Sequence, residues 1–294
     1  MAGELGWFEH SIHNAEVVGS NPTPATKKVA KPHMNNNPIG ILDSGVGGLS
    51  VLSEINSLLP QEATIYFADQ AYMPYGLKTP EELIYRVERI IGFLKEKNVK
   101  AIVIACNTAT VFTIKKMRQK FNFPIIGVVP VIKTIANATK TGIVAVLSTP
   151  TTAKSEYLDN LINEFASDKK VLIVGESHLE DLIEEGKTDS EEIAEILNKE
   201  LTPLIGKNVD AIALGCTHYP FVKKKIQEIV GKNVLVADSG GAVARRLKQV
   251  LEHENLLALQ KGTHTYYTTG RVEKFEKVAG KLLRTEIEAE SLNL

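Results

Sequence analysis

From Pro38 onward the chain alternates short, continuously apolar runs with longer stretches whose apolar residues recur every three or four positions. Residues 39–42, 64–68, 101–105, 124–128, 142–147, 171–174, 211–214 and 234–237 read as buried strands, being short, Val/Ile/Ala-rich and apolar on both faces. Between several of them the periodicity predicts helices. The clearest begins at Thr79-Pro80-Glu81-Glu82, a capping box with proline at the first helical position, after which Leu83, Val87, Ile90, Ile91 and Leu94 share one face. Strands buried on both faces and alternating with helices predict an α/β fold with mostly parallel sheets.

The rhythm runs twice. Ile39-Gly40-Ile41-Leu42-Asp43-Ser44 is echoed by Ile143-Val144-Ala145-Val146-Leu147-Ser148, and Ala101-Ile102-Val103-Ile104-Ala105-Cys106 by Ala211-Ile212-Ala213-Leu214-Gly215-Cys216. After each cysteine another apolar run ends in a turn, at Val129-Pro130 and at Ala237-Asp238-Ser239. The repeat predicts two α/β lobes, residues 34–130 with 239–294 and residues 131–238. Ligands of such sheets bind beyond the carboxyl ends of the strands, so lobes that face each other would point both cysteines into one cleft.

Residues 1–33 show neither period. Gly19-Ser20-Asn21-Pro22 is what GGT TCG AAT CCC would encode, bases that resemble the T-arm of a bacterial tRNA gene. The expectation is a disordered, non-native-looking extension outside the fold, with Met34 as the natural start. The one Trp and three of the seven His fall there and are set aside as site candidates.

Charge and cysteine content narrow the class. With 34 Lys+Arg against 35 Asp+Glu, net charge is -1, which offers no field to nucleic acid or an anionic membrane. No apolar run reaches the roughly 18 residues of a membrane span, and the start lacks the basic and apolar regions of a signal peptide. Two cysteines do not staple a chain of 294 residues. The expectation is a cytoplasmic enzyme with reduced thiols.

Each cysteine ends a strand and precedes an expected helix start, where the helix dipole favours thiolate and free N–H groups suit a carboxylate. Racemising a stereocentre needs one group to remove the Cα proton and another, opposite, to deliver one. Matched thiols in matched lobes meet that need, although a buried cysteine also serves as a small hydrophobe. Neither has a partner at a spacing such as C-x-x-C, which speaks against a metal or thiol–disulfide centre.

Ile41-Leu42-Asp43-Ser44-Gly45-Val46-Gly47-Gly48-Leu49, Met73-Pro74-Tyr75-Gly76, Ala105-Cys106-Asn107-Thr108-Ala109 and Gly215-Cys216-Thr217-His218-Tyr219-Pro220 together resemble, in order and spacing, the signatures of the bacterial glutamate racemases of the aspartate/glutamate racemase family. The glycine-rich run alone could be a phosphate loop, but it lacks the lysine and spacing of one. The resemblance implies pseudo-twofold lobes holding L- or D-glutamate in the cleft between them, no cofactor and no metal, a homodimer, and a role supplying D-glutamate for peptidoglycan. It further implies that Cys106 acts on the D-enantiomer with Asp43 assisting, and Cys216 on the L-enantiomer with His218 beside it. Asp43, Ser44, Pro74, Tyr75, Gly76, Asn107, Thr108, Thr217 and His218 would line the substrate, their hydroxyls, amide and main-chain N–H groups satisfying carboxylates without net charge.

Plainer readings stand beside these. Asp43 and Ser44 would cap a helix, Pro74-Tyr75-Gly76 would be a turn, and His218 would steady its own strand. One departure concerns Gly175-Glu176-Ser177-His178, which replaces the family's Cys-Pro lead-in. By that alignment Glu184 takes the position of a glutamate supporting the second thiol, and Glu176, Glu180 and Asp181 form a solvated helix face. The alternatives are a racemase of aspartate or another acidic amino acid, and a two-lobed small-molecule binding protein with inert cysteines.

Overall fold

The computed structural model of the protein describes residues 35–294, so the expectation for residues 1–33 lies outside the described residues. The strands are β1 (Ile39–Asp43), β2 (Thr64–Ala68), β3 (Ala101–Ile104), β4 (Ile125–Gly127), β5 (Ile143–Ser148), β6 (Lys170–Gly175), β7 (Ala211–Gly215), β8 (Leu235–Ala237), β9 (His264–Thr268) and β10 (Ala289–Ser291). They form a six-stranded sheet ordered β10-β9-β2-β1-β3-β4 and a four-stranded sheet ordered β6-β5-β7-β8. Every pairing in both is parallel.

The repeat read in the sequence is visible in this order. β2-β1-β3-β4 and β6-β5-β7-β8 follow the same path, and β1 is to β3 as β5 is to β7. β1, β2, β3 and β7 are buried along their whole length, as helices packed on both faces require. β6 sits at an edge, half-exposed, and opens on lysine. β9 and β10 extend the first sheet beyond β2 and are absent from the expected strands, because His264-Thr265-Tyr266-Tyr267-Thr268 mixes polar and aromatic residues without a continuous apolar run.

The expected capping box is formed. Glu82 N–H donates to Thr79 Oγ1 at 3.2 Å and Thr79 N–H donates to Glu82 Oε2 at 2.7 Å, starting the helix Pro80–Glu96 that buries Leu83, Val87, Ile90, Ile91 and Leu94. A continuous apolar core joins the first sheet, through the helix Leu49–Leu58, to the helices Gly240–His253 and His178–Glu184 and to β7. No helix of the described residues is long and apolar enough to cross a membrane.

Candidate active site

Asp43 ends β1, Cys106 follows β3 by one residue beyond Ala105, Ser148 ends β5 and Cys216 follows β7. The register sets these ends level. Leu42 pairs with Ile104 and Ser148 with Gly215. Both cysteines are free and buried.

Cys106 is the residue preceding the helix Asn107–Lys120, as expected, and its Sγ accepts from Ala109 N–H at 3.5 Å and Ser44 Oγ–H at 3.7 Å. Those donors favour thiolate, yet burial outweighs them and, with the Asp43 charge added, pushes the thiol up to about 12. Cys216 departs further from expectation. A short 3₁₀ turn, Tyr219–Val222, stands between it and the helix Lys223–Val230, so it caps no α-helix. Burial and then the Glu180 charge hold its pKa well above the usual thiol value, and the Cys106 charge adds to the effect.

The two loops interlock. Thr217 Oγ1 donates to Asp43 Oδ2 at 3.1 Å, Gly45 N–H donates to Asp43 Oδ1 at 2.9 Å, and Ser50 Oγ–H donates to Thr217 O at 2.8 Å. Asp43 caps no helix, since the residue preceding Leu49–Leu58 is Gly48, with no side-chain cap. Its carboxyl is fully buried and raised above its usual range by that burial, which the His218 charge and the Gly45 N–H partly offset.

His218 sits between two glutamates. Its Nε2 lies 2.8 Å from Glu184 Oε1, while its Nδ1 lies 3.5 Å from Cys216 Sγ and 3.6 Å from Glu180 Oε1. Burial alone would lower its pKa, but the hydrogen bond and charge of Glu184, and then the charge of Glu180, raise it to about 9. Glu180 and Glu184 divide the role expected of Glu184 alone. The Cys216 thiol donates to Glu180 Oε1 at 3.0 Å, so Glu180, one helical turn before Glu184, is the glutamate that touches the thiol. Glu184 instead supports His218, and its oxygens also take Val46 N–H at 2.5 Å and Gln70 Nε2 at 2.6 Å. Of the acids expected on a solvated face only Asp181 is exposed; Glu176 is buried and accepts from His178 N–H.

The glycines of the Asp43–Leu49 loop make this contact possible. A Cβ on Gly45 would stand 1.9 Å from Glu184 Oε1, and one on Gly47 would stand 2.5 Å from His218 Nδ1. The run is a platform for two opposing side chains, not a phosphate cradle.

The remaining expected residues gather nearby. Tyr75 is buried, its hydroxyl donating to Asp69 Oδ2 at 2.6 Å, and Asp69 also accepts from Arg86 Nη2 at 2.6 Å and Nε at 2.7 Å. This pair holds the turn containing Pro74 and Gly76, and Gly76 O accepts from Thr151 Oγ1 at 2.6 Å. Thr108 Oγ1 lies 3.4 Å from the hydroxyls of both Thr149 and Thr152. Asn107 lines a small cavity with Cys216, Thr217, Ser50 and Ser239, and its buried Oδ1 has no hydrogen-bond partner among the described residues. An unpaired buried amide oxygen is costly unless a ligand satisfies it.

Glu180, Gln70 and the Asp69–Arg86 pair are the site residues that the sequence reading missed. Glu180, Cys216 and His218 also present three ligand-type atoms within 4.8 Å of one another, partners that linear spacing does not reveal.

Comparison with known proteins points one way. The model of the Asp/Glu/Hydantoin racemase family matches residues 39–247. The glutamate racemase of Pseudomonas entomophila is 40% identical over 243 residues, 82% of this chain and 92% of its own. The crystal structure of a Bacillus anthracis glutamate racemase superposes with a TM-score of 0.81 at 33% identity, covering 90% of this chain and 99% of that one. The Escherichia coli glutamate racemase, solved with L-glutamate and the activator UDP-MurNAc-Ala, gives 0.78 at 34% identity, covering 87% and 97%.

Proposed function

The chain belongs to the Asp/Glu/Hydantoin racemase family, and we propose that it interconverts L- and D-glutamate by moving protons between the substrate Cα and two thiols, Cys106 and Cys216. The observation that carries this reading is the equivalence of the two free, buried thiols, one after β3 and one after β7, both met by the loop after β1: Ser44 donates to Cys106 Sγ, and Asp43 accepts from Thr217 beside Cys216. The identity to glutamate racemases over most of the chain supports glutamate as substrate. Thr217 and His218 directly after the second cysteine belong to the motif whose resemblance is to glutamate racemases, which favours glutamate over aspartate.

In the L-to-D direction Cys216 removes the Cα proton and Cys106 delivers one to the opposite face; in the D-to-L direction the roles exchange. A buried thiol near 12 is a poor base until charge arrives, and the ammonium group of the substrate brings positive charge into the site. His218, held by Glu184, and Glu180 support Cys216, while Asp43 and Ser44 support Cys106. The unpaired Asn107 oxygen suits the ammonium group, and the hydroxyls of Ser44, Thr108 and Thr217 with nearby main-chain N–H groups suit the two carboxylates. Pro74, Tyr75 and Gly76 complete the lining.

The two sheets belong to two lobes, residues 34–130 with 239–294 and residues 131–238, that hold the substrate between them. The enzyme works as a cytoplasmic homodimer, without cofactor, and its D-glutamate serves peptidoglycan synthesis. Assay of purified protein with L- or D-glutamate, no cofactor added and products resolved by chiral chromatography, tests the reading. Racemisation in both directions, abolished in Cys106→Ala and in Cys216→Ala alike, is expected. The double variant should lose little more than either single one, as for residues that act as a unit. Glutamate binding without Cα proton exchange would mean a binding protein instead.

A further inference from the structure

The three groups around Cys216 have a second chemistry open to them. Sγ of Cys216, Oε1 of Glu180 and Nδ1 of His218 form a triangle with sides of 3.0 Å (S to O), 3.5 Å (S to N) and 3.6 Å (N to O). Zinc binds thiolate at about 2.3 Å and imidazole or carboxylate at about 2.0–2.2 Å, so tetrahedral ligands lie roughly 3.3–3.6 Å apart. Two sides already match, and the third opens with a small swing of Glu180, whose side chain retains some exposure.

The outer shell is also built. His218 turns Nδ1 towards the thiol because Glu184 holds Nε2, and Glu184 is itself pinned by Val46 N–H and Gln70. A carboxylate on the distal nitrogen fixes the ring and raises its basicity in zinc centres. One thiolate, one imidazole and one carboxylate suit Zn²⁺ and not the all-oxygen preference of Mg²⁺ or Ca²⁺.

We propose that Glu180, Cys216 and His218 form a Zn²⁺ site at which the metal is a reversible inhibitor of this enzyme. On binding, the Cys216 S–H bond breaks and its proton leaves to solvent, as does any proton on Nδ1. Sulfur, nitrogen and oxygen then each donate an electron pair to the metal, with no redox change. The thiol so engaged cannot exchange a proton with the substrate. That inhibition rests on the racemase reading above, whereas metal binding does not.

Titrating the full-length protein with Co²⁺, the spectroscopic substitute for zinc, separates the two. A near-ultraviolet thiolate-to-cobalt absorption should saturate at one metal per chain and be displaced by Zn²⁺. It should vanish in Cys216→Ser, persist in Cys106→Ser, and need roughly 10–100-fold more metal in Glu184→Gln, the usual effect of losing an outer-shell partner. Racemisation should fall in step with the absorption and return with EDTA. If the absorption forms but no racemisation exists to inhibit, the racemase reading fails and the metal site stands. No thiolate absorption, or one that survives Cys216→Ser, overturns the site. Zinc inhibition without that absorption overturns it too, and absorption that leaves racemisation intact overturns the inhibition.

Discussion

Asp43 holds Gly45 N–H with one oxygen and the Thr217 hydroxyl with the other, and burial lifts its carboxyl above the ordinary range. Asparagine at this position keeps the acceptor for Gly45 N–H, turns its amide N–H to the Thr217 hydroxyl as acceptor, and deletes the charge. Asp43→Asn should therefore leave the thermal midpoint nearly unchanged while lowering kcat for D-glutamate by about 10²–10⁴-fold, the usual worth of general acid–base assistance. Because no variant alters the overall equilibrium, a one-sided fall in kcat must appear with a compensating KM. Unchanged kinetics in steady-state assays from both enantiomers would reduce the aspartate to a loop anchor. The two glutamates should separate in the same assays. Glu180→Gln removes the charge beside Cys216 and should slow the L-to-D direction with little loss of stability. Glu184→Gln should slow it and also lower the melting temperature, since Glu184 links His218, Val46 and Gln70. Equal melting temperatures for the two variants would contradict that division. Asp43, Cys106, Cys216 and His218 were legible because each stands at a strand end within a recognisable motif. Glu180 was not, because an acid-rich helix normally faces water. Its four-residue offset from Glu184 was the available signal: like charges so spaced repel on one face, and burying them calls for a cation, here His218.

The loop after β1 and the turn after β7 show where reading elements from sequence succeeds and stops. Continuous apolar runs located eight strands within a residue, those buried on both faces and the half-exposed edge strand β6 alike. They could not distinguish a helix start after Cys106 from the 3₁₀ turn after Cys216, because Thr217-His218-Tyr219-Pro220 carries helix-start residues whose side chains are taken by tertiary partners. Nor could they tell why the loop after β1 needs glycine. That reason lies in Glu184, 138 positions beyond Val46, whose Oε1 occupies the space of a Gly45 side chain and accepts from Val46 N–H. Gly45→Ala must displace a carboxylate that three partners hold, at a cost of roughly 1–3 kcal/mol for overpacking. Differential scanning calorimetry should show a lowered midpoint, and kinetics a slower L-to-D direction. A variant as stable and active as the parent would mean that Glu184 moves freely and does not fix His218.

At the scale of the whole molecule, one chain traces the same sheet order twice and joins the end of β1 to the loop after β7 through Asp43 and Thr217. Symmetry of this kind suits a reaction whose substrate and product are mirror images, because each direction requires the same pair of roles with the partners exchanged. Neither thiol is poised as a base on its own, both being raised by burial, so the claim that they act from opposite faces rests on where protons come from. Early conversion in deuterated water reads this directly. Starting from L-glutamate, the D-product should carry deuterium at Cα while the remaining L-substrate stays largely protiated, and starting from D-glutamate the pattern should reverse. Deuterium appearing early in the unconverted starting enantiomer, or the original proton carried across into product, would mean a single base serving both faces and would contradict the account.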